Sequence, residues 1–550
     1  MSKISPKALA TTPRITSNNS FEATLVDSRD PAISNISSHI ENMVGAQSRL
    51  TIEQLESNRL KLEHLELLRV KHGERNHHEA TNAPLLTMPV MEHVQRQDSK
   101  QKDRQFPQYG LIAGAMASDN LEMDKETRST LNEDPRIFFN IATPSSTFIC
   151  GSQGSGKSHT LSCMLENVLA PSVASQLPHP LTALVFHYDT FISDRGGSPC
   201  EAAFLASNKN IKVRVLCAPT NLATIQLAYS KLNVDIVPLK INQTDLNTKR
   251  MLDLMAVKQD DGPMPLYLHT IYRILRDMRM KQQKSGALFD YGVFKQMVGN
   301  TTMTPAQLGP LTQRLETLES FMNVEQTNLA SMSGKKKAKG IKGIDWSPRA
   351  GTLTIVDLSC PCVTPEGACA LFNICLSIFL EGDTKIGRVV ALDEAHKYMN
   401  KSAEASTLTD TLLATIRLQR HLGTRIIIST QEPTVSPALL DLSSVTIVHR
   451  FTSPEWLLSL KGHLAGVASK LIESEESQNG NAKSELSTER KVFTETVKLK
   501  VGEALLFSPS AVIGIGDEDG NDLKKLGAGY LKIRVRSRLT TDGGKSVMAE

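Results

Sequence analysis

Between Phe106 and Arg538 apolar residues gather into short continuous runs, set apart by stretches with helical spacing. The runs predict strands at Thr147–Cys150, Ala183–His187, Val213–Cys217, Thr352–Leu358, Val389–Leu392, Arg425–Ser429 and Val445–His449. Unbroken apolar character is what a strand covered on both faces requires. With helical patterns between the strands, the expected fold class is α/β, a mostly parallel, doubly wound sheet. Two further strands, Glu503–Phe507 and Tyr530–Arg538, close the chain. In the second, Lys532, Arg534, Arg536 and Arg538 alternate with Ile533, Val535 and Ser537, which gives one cationic face. Such a face either guards an exposed sheet edge or meets an anion or a neighbouring subunit.

The rhythm breaks over Val234–Asp345, where Tyr267–Met280 and Leu311–Met322 read as helices. This stretch is expected to be a helical insertion, ending in a flexible basic loop at Lys335-Lys336-Lys337-Ala338-Lys339. The basic run is a candidate contact for a phosphate backbone, or else a solvated linker or sorting signal. Upstream, residues 1 to about 30 are rich in Ser, Thr and Asn and read as a disordered tail. Ile36, Ile40, Met43, Leu55, Leu62 and Leu65 then recur at roughly helical spacing. They predict one or two amphipathic helices, a candidate surface for a protein partner. A polar linker with His77, His78 and Gln95–Gln105 follows. The expected parts are 1–105 (tail, helices and linker), 106–233 and 346–550 (one domain in two pieces) and the 234–345 insertion. The polar run Glu473–Arg490 is expected to be a mobile loop.

Composition narrows this picture little. A chain of 550 residues is too long for one core and suits roughly two to four domains. Hydrophobic content of 40% and charged content of 22% are ordinary for a soluble globular protein. A net charge of +4 neither demands nor excludes nucleic acid, so any basic surface must be local. No apolar run reaches the roughly eighteen residues of a membrane span, and the N-terminus has no apolar signal core. Its first segment carries Lys3, Lys7 and Arg14 without an acid, as disordered tails and mitochondrial transit peptides both do. Most cysteines sit in apolar segments, which suits buried thiols in a reducing compartment, cytoplasm or nucleus, with the mitochondrion as the alternative. Cys360-Pro-Cys362 lacks a second pair at zinc-ribbon spacing, so no zinc site is expected there.

Chemistry enters at Gly151-Ser152-Gln153-Gly154-Ser155-Gly156-Lys157-Ser158, directly after a predicted strand and before an apolar helix. This is the pattern and context of a phosphate-binding loop. Its glycines turn the backbone tightly and aim amide N–H groups at phosphate oxygens. The helix N-terminus, continuing through His159, adds its dipole. Lys157 can reach the β- and γ-phosphates, and the Ser158 hydroxyl can ligate Mg²⁺. The expected cofactors are ATP and Mg²⁺. A second apolar strand ends in Asp393-Glu394. Asp393 suits the Mg²⁺ contact through water, and Glu394 suits the general base that polarises attacking water. A third strand ends at Gln431, placed to sense the γ-phosphate or orient the water. Arg417, Arg420 and Arg450 are candidates for an arginine finger on the transferring phosphoryl group.

These pieces, with Asp357-Leu358-Ser359, the run Ser429-Thr430-Gln431-Glu432-Pro433 and a closing Lys500-Val501-Gly502-Glu503-Ala504-Leu505, resemble the HerA/FtsK superfamily of P-loop motor ATPases, nearer its HerA-like branch. The resemblance spans roughly residues 140 to 510, mainly in short motifs. It implies a P-loop NTPase fold of the additional-strand catalytic-glutamate type, with Glu394 as base. It also implies a homo-hexameric ring with ATP at subunit interfaces and DNA drawn through a central pore. Two readings stand. One is an ATP-hydrolysing ring motor on DNA or another polymer; the other is a nucleotide-controlled switch or scaffold without translocation. Intact Lys157, Ser158, Asp393 and Glu394 count against a protein that binds nucleotide but cannot hydrolyse it.

Overall fold

The structure, a computed structural model, describes residues 59–65, 79–97, 107–116, 125–191, 197–255, 266–327, 344–382, 385–461, 491–516 and 523–543. The chain divides into two compact units, Met1–Arg75 and Asn76–Glu550. In the first, residues 59–65 are helical and Arg59 pairs with Glu63 one turn on, at 3.4 Å. The rest of the expected N-terminal tail and helices, His77 and His78, the Lys335–Lys339 run and the Glu473–Arg490 loop lie outside the described residues.

The second unit is built on one sheet of sixteen strands. In chain order they are β1 (Leu85–Thr87), β2 (Tyr109–Ala115), β3 (Arg136–Asn140), β4 (Ser146–Cys150), β5 (Ser175–Gln176), β6 (Thr182–His187), β7 (Lys212–Cys217) and β8 (Asp235–Pro238). They continue as β9 (Thr352–Asp357), β10 (Arg388–Leu392), β11 (Thr424–Thr430), β12 (Val445–His449), β13 (Glu503–Phe507), β14 (Val512–Ile515), β15 (Leu523–Lys525) and β16 (Leu531–Val535). Across the sheet they lie in the order β15-β14-β1-β3-β2-β16-β13-β12-β4-β11-β10-β6-β9-β7-β8, with β5 on β2.

From β12 to β8 every neighbouring pair is parallel. This half holds all seven strands expected before β13. Its apolar runs are continuous because helices cover both faces. Val390 and Leu392 of β10 face one core, with Ile426 and Ile428 of β11 and the insertion's Ile271 and Leu275. Val389 and Ala391 face the other, with Leu161, Leu165 and Val168 of the helix Lys157–Leu169. The insertion's helices Leu266–Ser285, Tyr291–Gly299 and Pro305–Ser320 join the first core beside the helix Pro365–Glu381.

Beyond β12 the sheet turns mainly antiparallel through β13, β16, β2, β3 and β1. This half corrects two expectations. The stretch expected to be polar linker contains β1 and the helix Met88–Gln97, whose Val90, Met91 and Val94 pack on Leu86, Phe138 and Val512. β16 is not an edge strand: β13 and β2 pair with it on either side. Its alternating cations therefore do not guard an open edge.

Candidate active site

Parallel strands carry their C-terminal ends to one rim, and loops leaving that rim build the site. β4 and β10 are separated by one strand, β11, which is the additional strand of that P-loop class. β4 delivers residues 151–156, after which Lys157–Leu169 runs as a helix. Gly151 (φ 151°) and Gly156 (φ 115°) both sit in the left-handed region. A Cβ on Gly151 would lie 2.7 Å from that of His449, and one on Gly156 3.1 Å from the amide N of Gly502. Glycine is required at both by backbone conformation and by close approach.

The loop is tied at each end. Ser152 donates its N–H and its hydroxyl to the Arg450 carbonyl, both at 2.8 Å. Ser155 donates its hydroxyl to the Ser152 carbonyl at 2.7 Å, and Gly502 donates its N–H to the Ser155 carbonyl at 3.3 Å. Buried His449 lies beneath, with Nδ1–H donated to the Glu503 carbonyl at 3.0 Å and Nε2 accepting from the Thr160 hydroxyl at 2.9 Å. Burial pushes its pKa down to about 4, so the ring is neutral. Lys157 is buried and donates to the Ser152 carbonyl at 3.1 Å. Burial lowers its pKa, while the charges of Glu394 and Asp393 work against that fall. The two acids and this ammonium thus share one electrostatic neighbourhood.

Asp393 follows β10 and is buried. Its Oδ2 accepts from His187 Nδ1 at 3.2 Å and from the Cys200 thiol at 3.6 Å. Burial opposes its charge, but the His187 bond and charge prevail and hold its pKa below the usual value. Burial likewise disfavours a charge on His187, yet Cys200, Asp357 and the Asp393 bond raise its pKa well above normal. Asp357, at the end of β9, accepts from the Tyr229 hydroxyl at 2.5 Å, and that hydroxyl accepts from the Cys200 N–H at 2.9 Å. One buried network thus joins the two strand-end acids. The other oxygen of Asp393, Oδ1, is buried without a hydrogen-bond partner among the described residues. A carboxylate oxygen so placed suits a hard divalent cation or its water.

Glu394 sits in the left-handed region at φ 49°, the only residue other than glycine to do so among those described. A conformation that costs on the order of 1 kcal/mol persists where surroundings enforce it, commonly at functional sites. Here it turns the chain from β10 into the short helix Ala395–Lys397. Because β10 and β11 are paired in register through Leu392 and Ile428, Glu394 comes beside Gln431. Gln431 Nε2 donates to Glu394 Oε2 at 3.2 Å, and the Gln431 N–H donates to His396 Nδ1 at 3.3 Å.

A cleft of about 380 Å³ opens over the loop and Glu394. Gln153, Gly154, Gly156, Lys157, Ser158, His159 and Glu394 line one side of it; Val501, Gly502, Arg534, Val535, Ser537 and Asp542 complete it together with Glu201. Arg450 is exposed beside its own chain's loop. Arg417 and Arg420 are exposed at the opposite rim, where the helix Ala403–Arg417 leads into the start of β11. A strand of that length separates them from the cleft by roughly 20 Å at about 3.3 Å per residue, so they do not reach the phosphate loop of the same chain. Sequence reading missed His187, Cys200 and Tyr229, for which the chain carries no local signal. Arg534 was legible as one of the alternating cations, but not as a lining residue of this cleft.

No family model and no curated protein matches the sequence. Among solved structures the chain is similar to VirB4 of Thermoanaerobacter pseudethanolicus, with 13% identity and a TM-score of 0.42, over 78% of this chain and 97% of that one. It is also similar to a bacterial conjugative coupling protein, TrwBdeltaN70 in its unbound monoclinic form. That match has 11% identity and a TM-score of 0.39, over 79% of this chain and 94% of that one.

Proposed function

We propose that the chain is an ATP-hydrolysing motor of the HerA/FtsK type, with its catalytic centre between the phosphate loop and Asp393-Glu394. The observation that carries this reading is the convergence of four groups at one rim of the parallel sheet: Lys157 and Glu394 line one cleft, Gln431 is bonded to Glu394, and buried Asp393 acts on Lys157 through its charge. Loop amides and Lys157 bind the triphosphate. Ser158 and Asp393 would hold Mg²⁺, which when bound offsets phosphate charge, and the unpartnered Asp393 Oδ1 fits that role. Glu394 accepts a proton from the attacking water, and Gln431, already bonded to it, fixes its carboxylate and follows the γ-phosphate.

Arg417 and Arg420 lie too far from their own phosphate loop to act on it. A finger role for either requires a second subunit, which fits a homo-hexameric ring with interfacial sites. Arg450 is close enough to act within its own chain or across an interface. The substrate polymer in this reading is DNA or another nucleic acid. Steady-state ATPase assays with single- and double-stranded DNA and RNA test it: stimulation by one of them is expected, and an unchanged rate with all would favour a nucleotide-controlled switch.

A further inference from the structure

Of the four alternating cations at the chain's end, three are spoken for. Lys532 pairs with Glu503 at 3.7 Å, Arg536 with Glu166 at 2.8 Å, and Arg538 with Glu201. The Arg536 and Arg538 side chains are buried, 8% and 2% exposed, so they anchor the terminal segment to the helix Lys157–Leu169 and to the short helix Glu201–Ser207. Arg534 differs. It is exposed, lines the cleft, and has no ion-pair partner among the described residues. Its cross-strand neighbour Glu503 gives its carboxylate to Lys532 and to the Lys500 N–H instead.

The strand's position removes the ordinary explanation for such a charge. β16 is paired on both sides, so Arg534 guards no edge. Backbone contacts also fix it against the phosphate loop. The Val535 N–H donates to the Gly502 carbonyl at 2.9 Å, Gly502 donates to Ser155 at 3.3 Å, and His159 Nε2 donates to the Arg536 carbonyl at 2.8 Å. Loop, closing turn and β16 therefore form one continuous wall, with a single uncommitted guanidinium on it.

We infer that Arg534 is a nucleotide-binding residue, a guanidinium of the same chain that contacts phosphate oxygens of the nucleotide held by the loop. This rests on reading the cleft as the nucleotide site. A guanidinium presents a planar donor fork that suits phosphate better than an ammonium.

Direct binding of ATP to wild type, Arg534→Ala, Arg534→Gln, Arg534→Lys and Lys157→Ala tests the inference. Loss of a charged hydrogen bond predicts that Arg534→Ala and Arg534→Gln weaken ATP binding about tenfold or more, with Arg534→Lys in between and unfolding temperatures unchanged. If both neutral variants bind ATP like wild type while Lys157→Ala does not, the role of Arg534 is refuted and the nucleotide site stands. If wild type binds no ATP, both fall together.

Discussion

In the proposed mechanism the residue that carries most of the chemistry is Glu394, held in a left-handed turn with its carboxylate against Gln431. A general base in that place would contribute a rate factor of about 10² to 10⁴. Glu394→Gln should therefore retain ATP and lose hydrolysis by that factor. Lys157→Ala should instead lose tight ATP binding, which equilibrium binding measures. His449, beneath the loop, gives a pH signature. Its folded pKa of about 4 lies below the 6.5 of a free imidazole, so the unfolded chain binds the extra proton between those values. Its contribution is complete above about pH 6.5 and is lost as pH falls towards 4. The stability lost between pH 7 and 4.5 should be smaller by about 2 kcal/mol in His449→Gln than in wild type. Denaturant unfolding at the two pH values checks this, and an equal loss in both proteins would rule it out.

At the scale of elements, the parallel half of the sheet was legible because its strands are buried on both faces and write themselves as unbroken apolar runs. Val389–Leu392 and Arg425–Ser429 are such runs, and the structure extends each by a residue or two. The candidate phosphate loop and acid pair stand directly after strands, as expected, because each pattern needs particular residue types at a fixed spacing there. The antiparallel half was not legible. β1 is three residues long, between Pro84 and Pro89 and too short to show a strand period, and β3 and β14 are fixed by pairing with β1, far away in sequence. The network around Asp393 was hidden likewise, since His187 and Cys200 come from other segments and meet it only in the folded sheet. The terminal segment makes a testable claim of its own. Arg536 and Glu166 form a buried pair, and removing one partner of such a pair costs about 3 to 5 kcal/mol. Arg536→Met should lower unfolding stability by roughly that amount, and Arg536→Met with Glu166→Gln should recover part of it. Recovery of nothing would mean that the loss comes from packing rather than from the stranded carboxylate.

At the scale of the whole molecule, the distance of Arg417 and Arg420 from their own cleft means that a finger role for either would make assembly part of the mechanism. If either serves as a finger, Glu394→Gln and finger-variant chains, each inactive alone, should regain partial ATPase activity when mixed. Mixtures that stay inactive with Arg417, Arg420 and Arg450 variants alike would remove all three from the role. Mass measurement with and without ATP should show a nucleotide-stabilised hexamer, whereas an unchanged monomer would argue against a ring. All of this depends on the cleft being a site of ATP turnover. The most direct measurement is ATP binding and hydrolysis by wild type and Glu394→Gln side by side. The account predicts turnover in the first, and in the second ATP bound with hydrolysis down by about 10² or more. Equal hydrolysis by both, or no ATP bound by either, would contradict it.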